Sequence, residues 1–528
     1  MHREHLIQQL RKEKHYDLCI AGGGATGLGI AVDAASRGYK TLLIERSDFA
    51  KGTSSRSTKL VHGGVRYLQS GNIKLVYEAL HERGILMKNA GHLVKNQSFI
   101  VPNYKWWEGA YYGLGLKIYD WMSGTRGLGA SQLLSKEEVI NMAPTLAKDG
   151  LRGGVLYHDG QFDDARLAVN LAQTAMEQGA LVLNQMALKD FIKVDGRIIG
   201  CIAEDQLTGE TFEIGSKVIV NATGVFSDEL QQQDEPSRTA SISPSQGIHI
   251  VLDRSFLPGD TAILVPQTDD KRVLFAVPWH DRIIVGTTDT PVSNISEEPI
   301  PFDQEVNYLL DHITRYLTRT PHMSDIKSVF AGLRPLIRAD AKKTAEISRD
   351  HLILESPSGL MSIIGGKWTT YRRMAEDVLD TLIEKGRLPA ASCITEDISI
   401  HGNCKTDERV EGYYYGSDIE AINQLMDNDE SMRQLLHHSL PYKKAHVIHA
   451  IRNEFAMTIE DVLARRTRAL LLDAAAAMEC ALRVGEIMRE EMQLDHQWLD
   501  EQLAQFNRLA RNYLPHERHV SKSASYND

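Results

Sequence analysis

The chain has 528 residues, 42% hydrophobic and 24% charged, with 59 basic against 70 acidic side chains and a net charge of −11. That length exceeds one ordinary core, so two or three domains are expected; the acidic balance argues against a nucleic-acid binder and still allows a local anion pocket. Five scattered cysteines without CxxC spacing exclude an obvious zinc or iron–sulfur centre, so no metal is expected, and no run of ~18 or more apolar residues offers a membrane span.

Residues 1–15 form a polar extension with no apolar leader. An apolar strand, Leu18 to Ala21, then runs into Gly22-x-Gly24-x-x-Gly27. A small-residue helix with Ala31, Ala34 and Ala35 follows, and a second strand, Thr41 to Ile44, ends in Glu45. Each part has a chemical reason. Gly22 permits a tight turn, and Gly24 lets a pyrophosphate approach the N–H groups of a helix that opens with Ala25 and Thr26. Gly27 lets that helix pack on the strand, while Glu45 accepts hydrogen bonds from a ribose diol. The spacing predicts a dinucleotide-binding unit. Cys19, inside the first strand, is expected to be a buried small hydrophobe.

A hydroxyl-rich stretch, Thr53-Ser54-Ser55-Arg56-Ser57-Thr58-Lys59-Leu60, comes next and offers donors to phosphate or ribityl oxygens. In His62-Gly63-Gly64-Val65-Arg66-Tyr67 the glycines would let a His and an Arg approach a flat ring. A helix is expected from Ile73 to Ala90. Residues 104–121 are dense in Trp and Tyr; they suit a lipid–water boundary, with Lys105 and Lys117 for anionic head groups, or packing on another domain. Ala165, Leu167, Ala168, Leu171 and Ala175 recur at helical spacing and predict a helix from Asp163 to Gln178. An apolar strand from Lys217 ends in Ala222-Thr223-Gly224, where backbone can pass close to a ligand. From 246 to 289 the pattern is β. Gly365-Gly366-Lys367-Trp368-Thr369-Thr370 then opens a helix whose electropositive end suits the N1/O2 edge of a flavin. A ligand gripped by both ends of a long chain fits a flavin better than a nicotinamide. Beyond about 390 the segments are helical, with Thr458 to Asp461 as a helix start. Arg465-Arg466-Thr467-Arg468 is expected on a solvated or salt-bridged helix face, and 516–528 as a frayed tail.

The stretches SSRSTKLVHGGVRYLQ, VNATG, FAVPWHDRIIVGTTD, AGLRPLIR, IIGGKWTTYR and EDVLARRTRALLLDA, in this order, resemble the FAD-dependent glycerol-3-phosphate dehydrogenase family over about residues 16–515. The resemblance implies an α/β FAD-binding Rossmann-like domain of the glutathione-reductase type, an antiparallel α+β substrate domain and an all-helical C-terminal domain. Residues 16–100, 160–245 and 340–390 would build the first, 101–159 and 246–339 the second, and 391–515 the third. It also implies FAD as cofactor, oxidation of sn-glycerol 3-phosphate to dihydroxyacetone phosphate by hydride transfer to flavin N5, and electrons passed to a membrane quinone. The expected place is the inner face of the cell membrane, peripherally attached on the cytoplasmic side. A homodimer is left open.

A phosphate dianion calls for fixed cations, and Arg66, Arg334, Arg349 and Lys367 stand in the matching motifs, with Tyr67 beside them. Something must accept the C2 hydroxyl proton; His62 is the first choice and His249 the second. Expected cofactor contacts are Gly22, Gly24, Ala25, Thr26, Gly27, Glu45, Thr53, Ser54, Ser55, Lys59, Leu60, His62, Gly63, Gly64, Ala222, Thr223, Gly224, Gly366, Lys367, Thr369 and Thr370. Three rivals remain: a glycerol-3-phosphate oxidase reducing oxygen, an oxidase of amino acids or 2-hydroxy acids, and a non-enzymatic flavin-binding module. Arg334 and Lys367 stand only 33 positions apart, which leaves no room there for the long added segment such oxidases often carry.

Overall fold

The computed structural model describes residues 3–64, 73–266, 268–269, 272–338, 351–407 and 409–515. Arg66, Tyr67, Arg349 and the tail 516–528 lie outside them.

The fingerprint strand His15–Ala21 sits inside an eight-stranded sheet. Thr41–Ile44 and Thr211–Asn221 flank it in parallel, with Leu18 opposite Thr41 on one side and Val218 on the other. Leu181–Leu183 and Met361–Gly365 extend this parallel core, and antiparallel strands appear only at its margins. Parallel strands are covered on both faces, which explains the unbroken apolar runs Leu18-Cys19-Ile20-Ala21 and Leu42-Leu43-Ile44. Cys19 is fully buried, 3.8 Å from the sulfur of Cys201, the small core hydrophobe the sequence suggests. The fingerprint helix Ala25–Ser36 packs between Asp164–Glu177 and Tyr371–Glu384. The expected helices at 73–90 and 163–178 form as Ile73–Asn89 and Asp164–Glu177, the latter capped by the Asp163 carboxylate on the Arg166 N–H.

The second sheet has ten strands and is antiparallel apart from the pairing of Ala262–Val265 with Val94–Asn103. Two expected boundaries fall inside single strands. Position 101 lies within Val94–Asn103, which pairs with Gly153–Phe162 from Val94 onward, and 246 lies within Ile242–Asp253, paired from Ile242 with Ile326–Ile337. The short strand Leu60–Val61 also belongs here, on Gln161 and Gly160. It carries the chain from the first sheet to the second and sets His62 where the two meet.

The C-terminal part is helical, with Ile419–Asn428, Lys444–Asn453, Ala474–Glu491 and His496–Ala510 as its main pieces. One continuous apolar core joins it to the first sheet, whereas the second sheet has a core of its own around Ile250, Val285 and Leu309. The arginine run is salt-bridged, one of the two expected readings, but on a buried face rather than an exposed one. Asp461–Arg466 is a π-helical turn, Arg468 has φ 58°, and all three arginines are buried rather than solvated. Glu460 and Asp461 are local partners of Arg465, but Asp48 and Asp163, which these arginines reach across the interface, are remote in sequence, so a local charge pattern cannot reveal the burial.

Candidate active site

A cleft of about 750 Å³ opens where the two sheets meet, within the ~300–1,000 Å³ usual for small-molecule and cofactor sites. The glycine fingerprint forms its floor. Gly22 has φ 113°, a left-handed conformation that glycine adopts without penalty, and a side chain there would strike the Ala222 carbonyl of the Val-Asn-Ala-Thr-Gly strand end. A Cβ on Gly27 would sit 1.9 Å from the Gly22 carbonyl oxygen, so that glycine serves the packing of helix on strand. Gly24 is the N-cap of the fingerprint helix, and no side chain caps it. The helix therefore presents first-turn N–H groups to the cleft, with only the Ala25 N–H engaged by Ser54 Oγ at 3.0 Å.

Glu45 lies at the end of Thr41–Ile44. Its Oε2 accepts from the Gly23 N–H at 2.6 Å and its Oε1 from the Ser47 N–H at 2.8 Å. Burial pushes this carboxyl up, against the two N–H groups that pull it down. Each oxygen keeps a further lone pair for a ribose hydroxyl.

Two segments more than 300 residues apart in sequence are stitched together in the cleft wall. The Trp368 Nε1–H donates to the Ser54 carbonyl at 2.8 Å, and the His62 N–H donates to Thr369 Oγ at 3.3 Å. His62, His249, Arg334 and Lys367 all line the same cleft. Burial lowers the His62 pKa; Asp159 opposes the change, and Lys367 and Arg83 reinforce it. His249 is held well below the usual range by burial and by the charges of Lys59 and Arg334. Both imidazoles are thus neutral near pH 7 and able to accept a proton. The His249 ring stacks on Phe330 with centroids 4.8 Å apart, its Nε2 lies 2.9 Å from Thr58 Oγ, and its buried Nδ1 has no partner among the described residues. Arg334 bonds Asp289 at 3.2 Å, Thr287 Oγ at 3.2 Å and the Thr288 carbonyl at 3.0 Å.

Of the expected contacts, Gly22, Gly24, Ala25, Thr26, Glu45, Thr53, Ser54, Leu60, His62, Ala222, Thr223, Gly224, Gly366, Lys367 and Thr369 line the cleft. Gly27, Ser55, Lys59, Gly63, Gly64 and Thr370 do not. Lys59 is the clearest departure: its ammonium is sealed between Asp164, at 2.7 and 2.8 Å, and the Ser55 carbonyl at 2.7 Å, where it acts on His249 only through its charge. Gly63 packs under Leu80 and Tyr119. Sequence reasoning missed Leu188, Phe226 and Gly247, which also line the cleft. Gly247 had a signal, a glycine inside an otherwise apolar strand. A Cβ there would lie 2.3 Å from the Arg334 guanidinium, and one on Gly286 would lie 2.2 Å from the His249 ring. Leu188 and Phe226 had none.

First-turn N–H groups of a helix for phosphate, a carboxylate for ribose, and two imidazoles with cations in the same cleft fit a flavin dinucleotide, and this is the fold and site of a flavin-dependent oxidoreductase. The FAD dependent oxidoreductase family profile matches residues 17–372, and the profile of the C-terminal domain of alpha-glycerophosphate oxidase matches 393–498. The chain is 38% identical over 558 residues to the mitochondrial glycerol-3-phosphate dehydrogenase of Arabidopsis thaliana, covering 97% of this chain and 88% of that one. Against the mitochondrial glycerol-3-phosphate dehydrogenase of Bos taurus it is 37% identical over 553 residues, covering 98% and 75%. The crystal structure of the glycerol-3-phosphate dehydrogenase from Bacillus halodurans complexed with FAD superposes with a TM-score of 0.80 at 29% identity, covering 97% of each chain. The chain belongs to the FAD-dependent glycerol-3-phosphate dehydrogenase family, and its cofactor is FAD.

Proposed function

We propose that the enzyme oxidises sn-glycerol 3-phosphate to dihydroxyacetone phosphate and delivers the electrons to a membrane quinone. The observation that carries the reading is a single cleft lined both by a dinucleotide fingerprint and by His62, His249, Arg334 and Lys367. Bound FAD supplies a two-electron acceptor at N5. The protein supplies the rest. Arg334, given room by Gly247 and steadied by Asp289, Thr287 and Thr288, offers a planar fork to the substrate phosphate, and Lys367 adds a second cation. Arg66, Tyr67 and Arg349 are assigned to the same task from the sequence alone. His62, half-buried in the cleft wall and kept neutral by desolvation, takes the C2 hydroxyl proton as the C2–H bond breaks; His249 is the reserve.

Among the described residues no helix is long and apolar enough to cross a membrane. Attachment to lipid is assigned to the helix Glu108–Ser123 and the residues before it. Trp106 and Trp121 are 82% and 83% exposed, and Tyr111, Leu114 and Ile118 are exposed with them, next to Ile73 and Tyr77 of the neighbouring helix. Such a patch suits a bilayer interface, with Lys74, Lys105 and Lys117 for anionic head groups. The exposed apolar residues described in the C-terminal helices, such as Leu482, are scattered, which favours the aromatic helix. The proposed location is the cytoplasmic face of the cell membrane.

Anaerobic addition of sn-glycerol 3-phosphate to the yellow holoenzyme should bleach the flavin; no bleaching refutes the substrate. Rapid peroxide formation in air, with no gain from added quinone, would make the enzyme an oxidase. His62→Ala should slow bleaching by ~100- to 10,000-fold, and a nearly normal rate would pass the base role to His249 or solvent. Liposomes of anionic lipid should float the enzyme, and a Trp106→Ser/Trp121→Ser variant should stay behind.

A further inference from the structure

We infer that Tyr119, Asp159 and Arg83 form a positioning cluster for His62, acting through the backbone of Gly63. The inference rests on the reading of His62 as proton acceptor. The Gly63 N–H donates to Tyr119 Oη at 2.8 Å, and the Tyr119 hydroxyl donates to Asp159 Oδ2 at 2.7 Å. Asp159 Oδ1 accepts from Arg83 Nη1 at 2.7 Å and from the Gly160 N–H at 3.0 Å. The three side chains come from three separate elements, the aromatic helix Glu108–Ser123, the strand Gly153–Phe162 and the helix Ile73–Asn89. None of them lines the cleft.

The arrangement has the logic of a clamp. His62 is held on one side by its own N–H on Thr369 and on the other by the next N–H along the chain on Tyr119. Asp159, acceptor-only when ionised, takes the phenol's single proton, so Tyr119 Oη turns a lone pair toward Gly63. Arg83 in turn holds the other oxygen of Asp159 through a buried ion pair. Tyr119, Arg83 and Asp159 are only 1%, 1% and 3% exposed, and an ion pair at that depth is retained only where its groups are well bonded. A phenylalanine at 119 would fill the same space against Val76 and Leu80, so packing alone does not account for the hydroxyl. The absence of a side chain at Gly63 belongs to the same design. A Cβ there would come 2.5 Å from Tyr119 Oη and would push the clamp open. Among the described residues, the charges acting on His62 are Asp159, Lys367 and Arg83, and the cluster supplies the first and the last.

The test is a double-mutant cycle on the holoenzyme. Tyr119→Phe keeps the ring and removes the hydroxyl. Flavin reduction at saturating sn-glycerol 3-phosphate should slow by about 10-fold or more, while FAD content and substrate KM stay within about twofold. In a His62→Ala background the same change should add little, because the group it positions is gone. Asp159→Asn should move the acid limb of the pH–rate profile to lower pH by about 0.5 unit or more, since a negative charge favouring the imidazolium has been removed. If His62→Ala is slow but Tyr119→Phe reduces flavin at the normal rate, the cluster is structural only and the inference falls while His62 stands. An equal slowing by Tyr119→Phe with and without His62 also overturns it. If His62→Ala itself reduces flavin normally, the base assignment falls first and the cluster has nothing to position. Should Asp159→Asn fail to fold, the Tyr119→Phe cycle decides alone.

Discussion

Arg334 and Lys367 end on the wall of an open cleft, whereas Arg465, Arg466 and Arg468 end on buried carboxylates. Arg465 bonds Asp48, Glu460 and Asp461, and Arg466 grips both oxygens of Asp48. Arg468 lies 2.9 Å from Asp163 and over the ring of Tyr414. Arg166 does the same in mirror image from the first body, with Glu454 at 2.5 Å and the Tyr415 ring at 4.4 Å. The same residue type thus serves two ends. In the cleft, Arg334 and Lys367 border open space, Arg334 while bonded to Asp289 as well. At the C-terminal interface each cation is consumed by a carboxylate from another part of the chain, and the pair holds two bodies in register.

The sharpest way to break this comparison uses two glycines of one motif. Gly24→Val should give a folded protein without FAD, because a Cβ there meets only the movable Ser54 Oγ at 3.1 Å while the pyrophosphate has no room. Gly27→Val should damage the fold itself; FAD-replete Gly24→Val on chromatography of released nucleotide would refute the placement. Next in size, Arg334→Ala should lower kcat/KM by roughly 30-fold to several thousand-fold, ~2–5 kcal/mol, with FAD retained. An effect below about threefold would class it with the structural arginines. Arg466→Met should do the reverse, costing about 3–5 kcal/mol of stability by stranding buried charge while KM stays put. Denaturant midpoints and steady-state kinetics on one preparation separate the two outcomes.

The smallest effect is a pH dependence. Burial disfavours a charged His449, but the carboxylates of Glu454, 3.2 Å from its Nε2, and Asp418, 3.7 Å away, outweigh it and push the imidazole up to about 9 from an ordinary 6.5. A raised folded pKa means stabilisation that is complete below pH 6.5 and lost as pH rises through 9. His449→Gln should therefore be less stable than the native chain at pH 6, by on the order of 3 kcal/mol at most, and the gap should close by about pH 9. A gap that is constant across that range would show His449 to be uncharged at the interface.

Much of the first body was legible in the sequence because its signals are local. Gly22, Gly24, Gly27 and Glu45 lie within one strand–helix–strand unit, and the helical spacing from Ala165 to Ala175 needs no outside information. Lys59 misled because a lysine among hydroxyls looks like a phosphate ligand, and nothing nearby announces Asp164, more than a hundred residues on. Domain edges near 101 and 246 were displaced because strand pairing, which defines them, is a property of two segments at once. The burial of Arg465 to Arg468 was invisible for the same reason.

The pairing of Asp48 with Arg465 and Arg466 spans 417 and 418 residues of chain. Protein synthesis proceeds at ~5–20 residues per second, so Asp48 waits roughly 20–80 s on the ribosome for its counter-charges. Over that interval the nascent nucleotide-binding body exposes an unmatched carboxylate and the apolar surface that the last helices will cover. The enzyme is therefore finished from its end, and a chain stopped shortly before Arg465 would carry the whole flavin fingerprint and still present itself to chaperones and proteases as an unfinished protein.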